Sequence, residues 1–140
     1  MKDSSKMKTV SLRLEKNIYK EIKKISVYSD ITIQNMGEVF VELYLADYLN
    51  PFQNKLPQKN QKKLYRNSDE STLTFRIEKE VHNDLRKRLK EKRFTFQQIA
   101  ESFFVNLVEK NIKIDINNSK FHDLPEKYKQ AIYVFENPYG

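Results

Sequence analysis

The chain has 140 residues, with 26 lysines and arginines against 19 acidic residues, so its formal net charge at pH 7 is +7. This length suits one domain or two small ones, and the positive charge favours a polyanionic partner. The chain contains no cysteine, which excludes disulfides and thiolate metal sites. Because it also lacks a signal-like apolar start and a membrane-length apolar run, we expect a cytoplasmic protein with no membrane contact.

The chain begins with a polar, lysine-bearing segment, 1–8, which predicts a basic flexible arm. The next stretch, Thr9–Leu14, alternates strictly between polar and apolar residues. Because successive strand residues point to opposite faces, this pattern predicts a strand with one face in a core. The other face carries two hydroxyls and one guanidinium, from Thr9, Ser11 and Arg13. Such an ordered polar face favours a functional role.

Two amphipathic helices are predicted after this strand. Isoleucines spaced i, i+4 and i+7 from Ile18 predict a first helix of about ten residues, with Asn17 as its N-cap. Thr32 is the predicted N-cap of the second helix, which ends before Pro51 because proline disfavours helical geometry in the preceding residue. Strand and helices together define a first unit over 9–50.

The whole pattern returns 63 residues later, where Thr72–Ile77 repeats the alternation of the first strand and Thr95 takes the place of the second N-cap. Over 36 ungapped positions nine residues are identical, which indicates an internal repeat with its second unit over 71–110. The stretch 51–70, rich in lysine, glutamine and asparagine, predicts a linker between the units. The residues of the first unit that recur are Thr9, Arg13, Glu15, Lys16, Lys24, Thr32, Gln34, Glu38 and Phe40.

The last segment, 111–140, is predicted to contain a short helix with Pro125 at an early position. Its apolar residues would share one helix face, namely Tyr128, Ala131, Ile132 and Phe135. This face fits either a lid on the core or a surface for a partner protein.

The residues argue against an enzyme. His82 and His122 are the only histidines, and no carboxylate pair has a metal-ligand spacing, so we expect neither a metal site nor a catalytic one. Gly37 and Gly140 are the only glycines, which excludes a glycine-rich phosphate loop. No cofactor is therefore expected.

A strand with a polar face ending in arginine, followed by two short amphipathic helices, resembles the ribbon-helix-helix superfamily of DNA-binding proteins. The resemblance covers 9–49 and 72–110, and two units in one chain are similar to the TraY-like accessory proteins of conjugative plasmid relaxosomes. It departs from the family pattern at Glu15 and Glu78, where proline is usual, and in lacking a glycine between the helices.

The resemblance implies a mainly helical fold with a short antiparallel ribbon that enters the DNA major groove. The two units of one chain would pair as an intramolecular pseudo-dimer, with higher-order assembly on DNA a further expectation. Sequence-specific binding to double-stranded DNA would serve transcriptional repression or a plasmid or mobile-element accessory role. The base contacts implied are Thr9, Ser11, Arg13, Thr72, Thr74 and Arg76. The phosphate contacts implied or expected are Lys8, Lys16, Thr32, Ile33, Gln34, Lys79, Arg93, Thr95, Phe96 and Gln97.

Simpler interpretations stay open for these residues. The polar strand faces could be exposed edges stabilised by cross-strand pairs, the threonines could serve only as N-caps, and the lysines could simply be solvated. An antitoxin-like interaction protein, whose segment 111–140 binds a partner, is the alternative function.

Overall fold

The computed structural model describes residues 6–49, 69–114 and 125–140. In this part of the chain a strand and two helices occur twice, and a further helix follows. The elements are β1 (Met7–Glu15), α1 (Lys16–Ser29), α2 (Ile33–Leu45), β2 (Glu70–Glu78), α3 (Lys79–Lys92), α4 (Phe96–Val108) and α5 (Glu126–Glu136). The expected mainly helical fold with a two-stranded antiparallel sheet is confirmed.

The two strands pair with each other, antiparallel, over their full nine-residue length. Ser11 faces Thr74, its own counterpart at the 63-residue offset, so the centre of the ribbon lies between equivalent residues. The ribbon's apolar face is buried, as the alternation predicted. Its members are Val10, Leu12, Leu14, Leu73, Phe75 and Ile77.

Several predicted boundaries were wrong. β1 begins at Met7, so Met7 and Lys8 belong to the strand and not to the arm, and β2 likewise includes Glu70 from the predicted linker. The first helix has 14 residues and begins at Lys16, so Asn17 lies inside it and is not its N-cap. The cross-strand pairs extend regular structure beyond the alternating core of each strand. The remainder of the arm, 1–5, and of the linker, 51–68, lies outside the described residues.

Each of the four helices of the two units is followed, one or two residues after its last residue, by a non-glycine residue in the left-handed region. These residues are Asp30, Asp47, Arg93 and Lys110, with φ between 54° and 63°. After α1 the amide of Ile31 donates to the Ser26 carbonyl at 3.1 Å, and after α3 the amide of Phe94 donates to the Leu89 carbonyl at 3.0 Å. These bonds are those of a Schellman helix end. Both interhelical turns are therefore closed without the glycine that this geometry favours.

The core extends across the pairing of the two units. Phe40 of α2 stacks on Phe103 of α4, its counterpart at the same offset, with ring centroids 4.4 Å apart. Phe104 also packs edge-on against Phe103, at 5.1 Å. Because one strand and two helices bury too little apolar surface to be stable alone, the two units depend on this shared core, of which the aromatic cluster is one part.

The terminal helix α5 covers this cluster. Phe135 packs edge-on against Phe103 at 4.9 Å between centroids, and Ala131 and Ile132 are buried. At its other end Lys127 lies 3.8 Å from a Glu38 carboxylate oxygen of α2. The predicted apolar face of this helix is thus packed against the core, with Tyr128 half-buried at its edge.

Candidate nucleic-acid interface

The exposed face of the ribbon contains all six side chains predicted to contact bases. The register places Thr9 opposite Arg76 and Arg13 opposite Thr72, on either side of the central Ser11–Thr74 pair. Every one of these residues is exposed, whereas the residues between them face the core. The structure therefore brings two arginines and four hydroxyls together on one surface, with the arginines on opposite strands at opposite ends.

The two central hydroxyls are bonded to each other. Ser11 Oγ and Thr74 Oγ1 are 3.0 Å apart, and either can be the donor. Since each hydroxyl has one proton and two lone pairs, the pair keeps one proton and further lone pairs for an outside group. The centre of this face can therefore donate or accept, while each arginine can only donate.

Each arginine is held at its backbone by a glutamine of the other unit. The Gln97 side chain accepts from the Arg13 amide at 2.9 Å and donates to the Arg13 carbonyl at 2.8 Å. Gln34 makes the equivalent bonds to the backbone of Arg76, at 2.9 and 2.7 Å. The two side-chain amides thus bond the backbone as a neighbouring strand would. They satisfy the outward-facing amide and carbonyl of one residue on each outer edge of the ribbon.

A glutamate orients each glutamine. The Gln34 amide nitrogen donates to Glu38 at 2.9 Å, and that of Gln97 donates to Glu101 at 3.0 Å. Gln34 and Glu38 are among the residues identical in both copies, so the repeat contained the signal for this clamp. From the sequence, Gln34 and Gln97 were predicted only to bind phosphate through their own backbone amides. No local pattern pairs a helix side chain with a distant strand.

Replacing Gln97 with glutamate should destabilise the protein by about 0.5–1.5 kcal/mol, the net contribution of one hydrogen bond, because the bonds between Gln97 and the Arg13 backbone are exposed to solvent. A carboxylate cannot donate to the Arg13 carbonyl, and it would lie beside Glu101. Thermal unfolding measures the change. Gln130, exposed on α5, offers the same substitution as a control, and an equal effect at both positions would contradict the clamp.

The helix N-termini predicted to bind phosphate lie on the two sides of the ribbon, because Gln34 at the start of α2 bonds β2 and Gln97 at the start of α4 bonds β1. The predicted N-caps are confirmed: Thr32 Oγ1 accepts from the Asn35 amide and Thr95 Oγ1 from the Gln98 amide. The backbone amides of the first two residues of each helix have no acceptor within the helix, because no helical carbonyl lies four residues before them. Those amides belong to Ile33, Gln34, Phe96 and Gln97.

The predicted basic phosphate contacts occupy different positions around this face. Lys16 and Lys79 are exposed at the first residue of α1 and α3, directly after the strands, and Arg93 is exposed just before α4. Lys8 lies opposite the buried Ile77, so it belongs to the strand face that turns toward the helices. Lys16 and Lys79 thus lie at the ribbon's margin and Lys8 at its end, and Arg93 lies three residues before the first residue of α4.

The charge around Lys8 affects His82 on α3. Partial burial and the positive charges of Arg86 and Lys8 all lower the pKa of His82 below its ordinary value. The imidazole is therefore mainly neutral at neutral pH, and the positive charge at this end of the ribbon comes from lysine and arginine.

Comparison with protein-family models, with curated proteins and with solved structures found no match to the chain. Within the described ranges, no group of three or more histidine, cysteine, aspartate or glutamate residues is arranged to hold a metal ion. No helix in that same part of the chain is both long and apolar enough to cross a membrane.

Proposed function

We propose that this chain is a sequence-specific double-stranded DNA-binding protein, built as two tandem ribbon-helix-helix units whose strands form one ribbon. The observation that carries the proposal is the exposed ribbon face, where Thr9, Ser11 and Arg13 meet Thr72, Thr74 and Arg76 in register. A two-stranded ribbon fits the major groove, where each base pair presents a distinct pattern of donors and acceptors.

The chemistry of this face supports direct base readout. Arginine commonly donates two hydrogen bonds to O6 and N7 of guanine, and hydroxyls can contact any base. The Gln34 and Gln97 clamps hold the arginine backbones in place, which reduces the ordering that binding would require. On either side the free amides at the starts of α2 and α4 offer positions for backbone phosphates. Base contacts would then specify the sequence, and phosphate contacts the position.

Such a protein acts by occupying DNA and not by catalysis. Repression of transcription and an accessory role at a plasmid or mobile-element site both require only specific occupancy. We propose these as its biological settings.

Affinity for the preferred duplex should fall steeply with salt, because each neutralised phosphate contributes about −0.9 to the slope of log K against log salt. The preferred site is found by selecting from a random duplex pool, and its affinity is then measured from 50 to 200 mM salt beside a scrambled duplex. Equal affinity for both duplexes, or no binding at the lowest salt, would refute the proposal.

The alternative, an antitoxin-like protein with a partner-binding tail, receives no such support. The buried residues of α5 include Ala131, Ile132, Val134 and Phe135, so its apolar face is already occupied by the core.

A further inference from the structure

The two ends of the ribbon differ sharply in charge. Lys6-Met7-Lys8 spans the start of β1, with Lys6 just before the strand, and the equivalent segment at the start of β2 is Asp69-Glu70-Ser71. The first segment has two positive charges and the second has two negative charges, a difference of four. The register places these segments at opposite ends, with Met7 opposite Glu78 and Glu70 opposite Glu15.

The rest of the ribbon and the helices that follow it are balanced between the units. The strand ends opposite these segments match in charge, since Arg13, Glu15 and Lys16 recur as Arg76, Glu78 and Lys79. Helix α1 has four lysines and one glutamate, and α3 has six basic and three acidic residues, so each has a net charge of +3. The imbalance therefore arises at the strand starts.

The pair at the turns between the helices differs in the opposite sense. Asp30 precedes α2, which lies beside Arg76, and Arg93 precedes α4, which lies beside Arg13. This difference is two charges, half of that at the strand starts. Lys8 and Ser71 are separated by six residues along the ribbon, about 20 Å. Because the Debye length is about 8 Å at physiological salt, the two ends act independently.

We propose that the chain contacts duplex DNA beyond its recognition site on one side only, through the segment Lys6–Lys8. This inference rests on the proposed function. The base-reading face is the same at both ends except for Ser11 and Thr74, so it has little preference for either direction. Flanking phosphates, one per about 1.7 Å of duplex, attract the β1 start and repel the β2 start. The chain therefore orients itself with the β1 start toward flanking DNA.

The test uses full-length protein and a selected site with flanking duplex on one side only. Because the chain has no cysteine, Glu80→Cys near the β1 start and Asn17→Cys, its counterpart near the β2 start, each give a unique attachment point for an iron chelate that cleaves nearby DNA. We expect cleavage of the flank from position 80 and of the opposite end from position 17. Removing the flank should also make the slope of log K against log salt shallower by about 2, because two lysines lose their phosphate contacts.

The matched variant exchanges the two segments, as K6D/M7E/K8S with D69K/E70M/S71K, and keeps composition and net charge unchanged. Its cleavage patterns should exchange. The half-exchange D69K/E70M/S71K makes both ends basic, so cleavage of the flank should occur from both positions, and this smaller variant serves if the full exchange unfolds. If the two labelled proteins with unexchanged segments bind the site specifically but cleave the flank equally from positions 80 and 17, this inference alone is overturned. No preference for the site would overturn the proposed function with it.

Discussion

Replacing Gly37 with alanine should destabilise the protein by about 1–3 kcal/mol, the usual cost of forcing an extra carbon into a packed core. A Cβ at this position would lie 2.5 Å from two carbons of the Phe75 ring. Phe75 is fully enclosed, at 1% exposed, so the ring has no open space to enter. Urea unfolding of the two proteins measures the difference.

The sign of this change separates packing from helix propensity. Gly37 lies inside α2, where an exchange of glycine for alanine ordinarily stabilises by about 1 kcal/mol. The counterpart in α4 is already alanine, Ala100. Ala100→Gly is therefore the control, and it should destabilise through helix propensity and lost packing. A Gly37→Ala variant more stable than wild type would show that the ring yields easily.

A second change tests whether glycine and phenylalanine fit each other. Phe75 has Leu12 as its counterpart, so the second unit has a larger strand residue and a larger helix residue, Ala100. Phe75→Leu should leave a gap over Gly37 that an alanine methyl can fill. The double variant G37A/F75L should therefore be more stable than the sum of the single changes predicts, by about 1 kcal/mol or more. Additive effects would contradict the size match across the pairing.

Removing both Arg13 and Arg76 by alanine substitution should abolish specific binding under ordinary conditions. A bidentate arginine–guanine contact is worth about 1–3 kcal/mol, so each single variant should bind the selected site about 5- to 150-fold more weakly. The two side chains lie four residues apart along the ribbon, about 13 Å, so their effects should add. Titration of wild-type, single-variant and double-variant proteins against the selected duplex measures this.

The matched variants are Arg13→Lys and Arg76→Lys, which keep the charge but lose the planar fork of donors. They should retain binding to scrambled duplex while losing preference at one base position each. If lysine restored the full preference, the arginines would act through charge alone. An unchanged base preference in Arg13→Ala would remove that residue from the readout.

Much of the local structure was predictable from the sequence. The alternation in Thr9–Leu14 and Thr72–Ile77 identified both strands and their buried faces, and Thr32 and Thr95 identified two helix starts. These features depend on side-chain periodicity and on contacts within three or four residues, which a sequence displays directly. The same alternation placed the polar residues of each strand on one face, and the resemblance to ribbon-helix-helix proteins implied that this face contacts bases.

The tertiary structure alone decided how these elements meet. Pairing β1 with β2 in a register centred on Ser11 and Thr74 joins residues 63 positions apart, and the clamp between Gln97 and Arg13 joins residues 84 apart. No sequence pattern indicated the four non-glycine residues that adopt the left-handed conformation after the helices, because glycine is the usual sign of that conformation. The sequence by itself determined which residues are polar, apolar or helical, since those properties are local. Only the packed chain determined the register that sets both arginines on one surface and showed that α5 covers the core, since those contacts require distant segments to come together.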